Sequence, residues 1–361
     1  LGQYEEGLKY IKKVVKLGRD DAWLNEEYGA CLAGLDKYEE AIEKFEYALS
    51  LNDEDKDKDL AFTYGQLGCC HRNLENYEEA IKYLMLSKEE GRNDVWTNLE
   101  LAMCYENLED YEKALEYALE SRKYVKNEQA EVDTESLIAW LYDRYMDYTK
   151  AEEILRSVLA KDKENEWVLS ELGYCLSEQG KYEEALEYFL MVEKLDEADG
   201  WLYQKIATCY KNLDKKEEAL EYYLKAVELD EEDTYSISDI AWLYNNLGKH
   251  EEALKFLQRL EKIGVDDSWT NTEYAYCLSK LNRYEEAIEK YKYALNLDDE
   301  EKDEAYIYSQ LGWCYRQLED YEKALECQNQ AKEFGRNDIW LNTEISVCYE
   351  KLGDYEKALE Y

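Results

Sequence analysis

Leu172-Gly173-Tyr174-Cys175-Leu176, followed by Gly180-Lys181-Tyr182-Glu183-Glu184-Ala185-Leu186-Glu187-Tyr188, is the passage on which the reading of the chain turns. It returns with small changes from one end to the other. Aligned on the Ala of its Tyr-Glu-Glu-Ala, the copies centre on Ala41, Ala80, Ala114, Ala151, Ala185, Ala219, Ala253, Ala287, Ala324 and Ala358. The usual step is 34 residues, lengthened to 37 or 39 where short inserts intervene. A fixed period of this size marks stacked supersecondary units, each too small to bury its apolar face alone.

Numbering that Ala as position 20 gives every copy a common register. In the copy around Ala185, helix A is expected to end near Gln179-Gly180, where Gly supplies a left-handed residue, and helix B to run from about Tyr182 to Leu195. Asp20-Asp21, Asn93-Asp94, Asp266-Asp267 and Asn337-Asp338 precede helices A as N-caps, and Gly18, Gly91, Gly264 and Gly335 close the helices before them. Positions 4, 7, 8 and 11 of helix A share a packing face. Position 8 is Gly, Ala or Ser throughout, which lets neighbouring helices approach closely.

A small residue, an aromatic and an Ala at these offsets of a 34-residue period resemble the tetratricopeptide repeat family. The resemblance implies an all-α fold, an α-solenoid coiled as a right-handed superhelix of about ten helix pairs, with one face of the helices A lining a concave groove. It covers residues 1–361 as a single array: a truncated repeat at 1–17, a first block at 18–123, middle repeats at 124–263 and a duplicated block at 264–361. Gly18–Leu51 and Gly264–Leu297 agree at about 21 of 34 positions, which marks a tandem duplication. Both ends fall inside repeats, so the chain reads as a piece of a longer protein; a catalytic part outside it would make the array a sensor or regulatory region. Self-association through such ends is a further expectation.

With 85 acidic against 44 basic residues the formal net charge is -41. Such a field repels phosphates and anionic lipid, which argues against nucleic-acid and membrane partners and favours a basic one. No apolar run reaches the length of a membrane span. The alternating acids of Asn52–Asp59 lack the Gly and terminal Glu of an EF-hand loop, so a solvated charged insert is expected there and no metal site.

Eight cysteines, Cys31, Cys70, Cys104, Cys175, Cys209, Cys277, Cys314 and Cys348, stand at position 10. Repeated once per unit, they are too far apart for disulfides and are expected to be buried free thiols, which points to a reducing, cytoplasmic compartment. Cys69 and Cys327 lie off this register and should be more exposed. His250 takes a slot that is otherwise Tyr, and His71 beside Cys70 points away from it. No phosphate loop, zincin or nucleophile-elbow motif occurs, so neither an enzyme nor a cofactor is expected.

Function should lie on positions 2, 6, 9 and 13 of helix A, whose spacing places them on one stripe. The candidate ligand-binding residues are Trp96, Trp140, Trp167, Glu171, Tyr174, Trp201, Asp239, Trp242, Asn246, Trp269, Glu273, Tyr276 and Trp313. Indole faces beside carboxylates suit Lys or Arg side chains, so the expected ligand is a basic protein or peptide. Position-2 aromatics could instead wedge against the preceding helix B. The carboxylate clamp of chaperone-binding members needs bases on this stripe, and Lys205 is the only one at position 6.

Overall fold

In a computed structural model the described residues are 2–51, 59–195, 198–300 and 302–361. Most of the acidic Asn52–Asp59 insert therefore lies outside them. Among the described residues there are only helices and turns. A lone α1 (Gly2–Lys16) is followed by the pairs α2 (Ala22–Ala33) and α3 (Tyr38–Ser50), α4 (Leu60–Asn73) and α5 (Tyr77–Glu89), and α6 (Val95–Asn107) and α7 (Tyr111–Ser121). Next come α8 (Glu128–Arg144) and α9 (Tyr148–Leu159), α10 (Glu166–Glu178) and α11 (Tyr182–Leu195), and α12 (Gly200–Asn212) and α13 (Lys216–Leu229). The last pairs are α14 (Thr234–Asn246) and α15 (His250–Ile263), α16 (Ser268–Lys280) and α17 (Tyr284–Asn296), α18 (Glu304–Gln317) and α19 (Tyr321–Glu333), and α20 (Ile339–Lys351) with the short α21 (Tyr355–Ala358). The chain divides into two compact units, Leu1–Tyr188 and Phe189–Tyr361. Each is an all-α solenoid segment.

The helix ends follow the local chemistry. Asp21, Asp94, Asp267 and Asp338 each accept a bond from the backbone amide three residues on, at 2.6–2.8 Å. Gly18, Gly91, Gly264 and Gly335 have φ between 91° and 100°, the left-handed conformation that closes a helix. Position 15, between helices A and B, is left-handed as well, and there Gly180, Gly248 and Gly353 are joined by Asp36, Glu75, Glu109, Met146, Asp214, Asn282 and Glu319. The lengthened joint near Asn127–Ala130 is not a loop. A 3₁₀ turn at Arg122–Tyr124 leads into a 17-residue α8 that Asn127 caps through the Ala130 amide, so the extra residues extend helix A.

Packing centres on position 20, where every Ala from Ala41 to Ala324 is fully buried, and on position 8 facing it. A Cβ on Gly68 would stand 2.6 Å from Leu84 Cγ and 3.1 Å from the Ala80 carbonyl oxygen; on Gly29 it would meet the Phe45 ring at 2.8 Å. The contact is close enough that one added carbon costs packing energy.

All ten cysteines are free, and the position-10 thiols from Cys70 to Cys348 are buried. Cys31 departs from that expectation and is only half-buried. The helix before it is α1, whose position 20 is Gly7 rather than Ala, and the smaller residue leaves the thiol less covered. Cys69 and Cys327 are half-buried as expected, yet burial still pushes the Cys327 thiol up to about 12. His71 stacks on Tyr83 at 5.3 Å, and His250 Nδ1 lies 3.2 Å from Asn245 Oδ1, so neither forms a pair with a thiol.

Candidate functional site

The stripe of positions 2, 6, 9 and 13 runs along the helices A of each unit, but what it offers a ligand depends on what its side chains already hold. In four repeats position 6 is tied to position 12 of the preceding helix A, a residue 28 places earlier in sequence. Arg72 Nε donates to Glu100 Oε2 at 2.6 Å in the first unit. In the second, Lys211 Nζ donates to Asp239 at 2.7 Å, Asn245 Nδ2 to Glu273 at 2.9 Å and Arg316 Nε to Glu344 at 2.5 Å. These contacts form rungs between successive helices A. Glu100 and Glu344 are almost wholly buried beneath them.

Two rungs of the first unit are built differently. Glu171 on α10 faces Asp143 of α8, a second carboxylate. Burial first, and the Asp143 charge after it, push the Glu171 carboxyl up to about 7. Asp143 is itself raised by burial and accepts a weak bond from Cys175 Sγ at 3.7 Å. One repeat earlier, Glu106 on α6 meets Leu137 at position 6 of α8, and burial raises its carboxyl while Arg144 draws it back.

The indoles divide in the same way. Arg19, Arg92 and Arg336 lie over Trp23, Trp96 and Trp340 with 4.4–4.9 Å from guanidinium to ring centroid. These arginines follow the glycines of the Gly-Arg turns, so the turn that starts helix A also covers its first ring. Trp201 packs edge-on against Phe189 at 6.0 Å and carries Lys205 at 5.7 Å. Arg144 lies 5.5 Å over Trp140, and Lys280 lies near both Tyr276 and Trp313 at 5.0 and 5.1 Å. Tyr174 stands edge-on to Tyr148. Among the described residues Trp167, Trp242 and Trp269 carry no cation on their rings, and Trp167 and Trp269 are 39% and 44% exposed. Position-2 rings thus pack on one side and face solvent on the other.

Asn246 is exposed, and its Nδ2 donates to the Trp242 carbonyl at 2.8 Å. Asn73, Asn107 and Asn212 do the same four residues back, so position 13 satisfies the last turn of helix A. The partners at position 12 and the arginines of the Gly-Arg turns escaped the reading of single helices, because each contact joins residues of different elements. The 28-residue spacing of base to acid is the signal that finds the rungs.

A cavity of about 380 Å³ opens on the stripe between α6, α8 and α10, with Met103, Glu106, Leu137, Trp140 and Trp167 in its walls. A larger one of about 710 Å³, between Tyr274 and Tyr293, lies off the stripe. Its polar groups bond one another: Asn271 Nδ2 and Tyr293 Oη both donate to Asp266, and Lys290 Nζ donates to Asn271 Oδ1. The first block repeats this latch with Asn25, Tyr47 and Asp20. Among the described residues no cluster of His, Cys, Asp or Glu converges as a metal ion requires, and no helix is long and apolar enough to cross a membrane.

Family models described as tetratricopeptide repeat match residues 20–87 and 266–337, 146–203, 97–121 and 202–233, and 238–263. No curated protein matches the chain. Among solved structures, a crystal structure of MamA is 20% identical over 44% of this chain and 92% of its own, with a TM-score of 0.42. A second, MamA AMB-1, is 26% identical over 46% of this chain and 98% of its own, with a TM-score of 0.42. The APC/C hetero-tetramer Cut9–Hcn1 is 15% identical over 99% of this chain and 84% of its own, at a TM-score of 0.44.

Proposed function

Because the chain belongs to the tetratricopeptide repeat family, a family of protein-interaction scaffolds whose fold is generally non-catalytic, we propose that it binds basic protein segments on the helix-A stripe of each unit. The observation that carries this reading is the trio of Trp167, Trp242 and Trp269, whose indole faces carry no cation among the described residues, in a chain of net charge -41. A Lys or Arg brought onto such a face gains roughly 0.5–2 kcal/mol per contact. The position-6 carboxylates that already hold a base contribute field rather than direct pairing. The summed field draws a cationic segment in, and the rings retain it.

Titration with oligolysine and oligoglutamate peptides tests the reading through tryptophan fluorescence. Oligolysine should bind, with an affinity that falls as salt rises. Replacing Trp167, Trp242 and Trp269 together by Ala should weaken it at least about tenfold, whereas Glu221→Gln on α13 should change it less than about twofold. Equal binding of oligoglutamate, or full binding by the triple variant, would refute the proposal.

A further inference from the structure

We infer that the cavity between α6, α8 and α10 seats one arginine side chain of the basic partner, an inference that rests on the function proposed above. Position 6 of α8 is Leu137 instead of an acid, so Glu106 opposite it closes no rung. Arg144, at position 13 of α8, acts on the Glu106 carboxyl through charge and forms no ion pair with it among the described residues. The side-chain bond of Glu106 is to the neighbouring Asn107, whose Nδ2 donates at 3.0 Å. Arg72 also lines the cavity, but Glu100 holds it at 2.6 Å. The remaining walls are Ser136, Met103, Leu137 and the rings of Trp140 and Trp167, mostly apolar surface around one half-buried carboxylate. Arg144 already covers one face of Trp140, which leaves Trp167 as the free ring.

On α8 position 2 is Asp133, where every other helix A carries a ring. Asp133 is exposed one turn before Leu137 and accepts from Gln129 Nε2 at 2.9 Å. At about 380 Å³ the space lies near the lower end of the roughly 300–1,000 Å³ of small-ligand pockets, suited to a long side chain and not to a helix. A purely apolar anchor would strip water from Glu106 and give nothing back. Lysine would bring a compact, strongly hydrated charge. Arginine lays its stem against Met103 and Leu137, stacks a planar guanidinium on indole and presents paired donors to one carboxylate.

The test uses the chain labelled with 5-fluorotryptophan, its nine fluorine signals assigned by single Trp→Phe variants. The probe is a capped Gly-Ser peptide carrying one central arginine, against its uncharged citrulline analogue. The arginine peptide should move the Trp140 and Trp167 signals and the citrulline peptide should not. Glu106→Gln should weaken the response at those two signals about fivefold or more, and Glu106→Asp, which keeps the charge, should retain most of it. An undiminished response in Glu106→Gln, or shifts spread evenly over all nine signals, overturns the inference. Shifts confined to Trp201, Trp242 and Trp269 also overturn it while leaving the stripe as the binding surface. If no signal moves with this peptide or with oligoarginine, the stripe reading falls too.

Discussion

Arg316 and Glu344 on the one hand, and Asp143 and Glu171 on the other, occupy the same two register positions on successive helices A. The first pair closes at 2.5 Å as base and acid, while the second sets two acids together, neither of them in an ion pair among the described residues. Both stretches nonetheless keep a fully buried Ala at position 20 and a small residue at position 8: Ala324 and Gly312 in the one, Ala151 and Ala139 in the other. The rung is therefore not what makes the fold. Apolar contact between helices A and B fixes the pairs, and the polar residues joining one pair to the next are free to vary in sign. Where the rung is a closed ion pair the stripe is self-sufficient. Where it is open, as at Glu106 and Glu171, burial holds the carboxyl above its ordinary range.

The largest expected effect comes from opening a closed rung. Arg316→Met keeps most of the aliphatic stem but leaves the buried Glu344 carboxylate without its base. Since the arginine is itself one-quarter exposed, the cost should be about 2 kcal/mol, below the full penalty of a deeply buried broken pair. A urea titration reads it as a lowered midpoint at unchanged slope. A midpoint that stays put would place this bridge among surface pairs worth well under 1 kcal/mol and would remove the distinction between the two kinds of rung.

The second prediction works on the open rung and depends on pH. The Glu171 carboxyl is raised in the folded state, so folding favours its protonated form. Below about 4.5, where a solvated glutamate titrates, the group is neutral folded or unfolded and has no effect. Between there and about 7 the unfolded chain ionises first, and stability falls as pH rises; above about 7 the loss is complete. The solvent that reaches Glu171 limits the loss to roughly 1–2 kcal/mol. Glu171→Gln should therefore stabilise the chain by about 1 kcal/mol at pH 8 and be neutral near pH 4, as read from thermal unfolding. A gain of the same size at both values would show that ionisation next to Asp143 is not the cause.

Much of the fold was legible because its signals are local. The Gly18 and Gly264 turns, the Asp21 and Asp267 caps and the small residue at position 8 each answer a demand of the backbone within a few residues, and the structure meets them where the sequence placed them. Cys31 departs from the reading because its cover depends on Gly7 of the helix before it and not on its own helix. The candidate stripe was legible as a face, since helical spacing places Trp140 and Trp167 there without further information. Its occupancy was not. Whether Asp239 or Trp96 is available to a ligand depends on Lys211 and Arg92, which reach them from other elements, and a helical period carries no trace of such partners. The left-handed residue at position 15 was hidden for a different reason: only three repeats show it with Gly.

That hidden position supplies the smallest effect and sharpens the same contrast. The turn closing α8, next to the open Asp143 rung, passes through Met146, a residue at φ 57° that is 73% exposed. Its counterpart in the second unit is Gly248 at φ 72°, which closes α14 next to the closed Asn245–Glu273 rung. A left-handed residue with a Cβ carries about 1–2 kcal/mol of steric strain, which Gly does not. The exposed Met side chain contributes little contact to offset it. Gly also brings a more disordered unfolded state, which removes part of the gain. Met146→Gly should therefore stabilise the first unit by about 0.5–1 kcal/mol, whereas Gly248→Met should destabilise the second by a similar amount. Unfolding midpoints of the two variants, measured beside the unaltered chain, read both shifts. If they move in the same direction, backbone strain at position 15 is not what separates the turns, and the α8 junction differs from its counterpart in its rung alone.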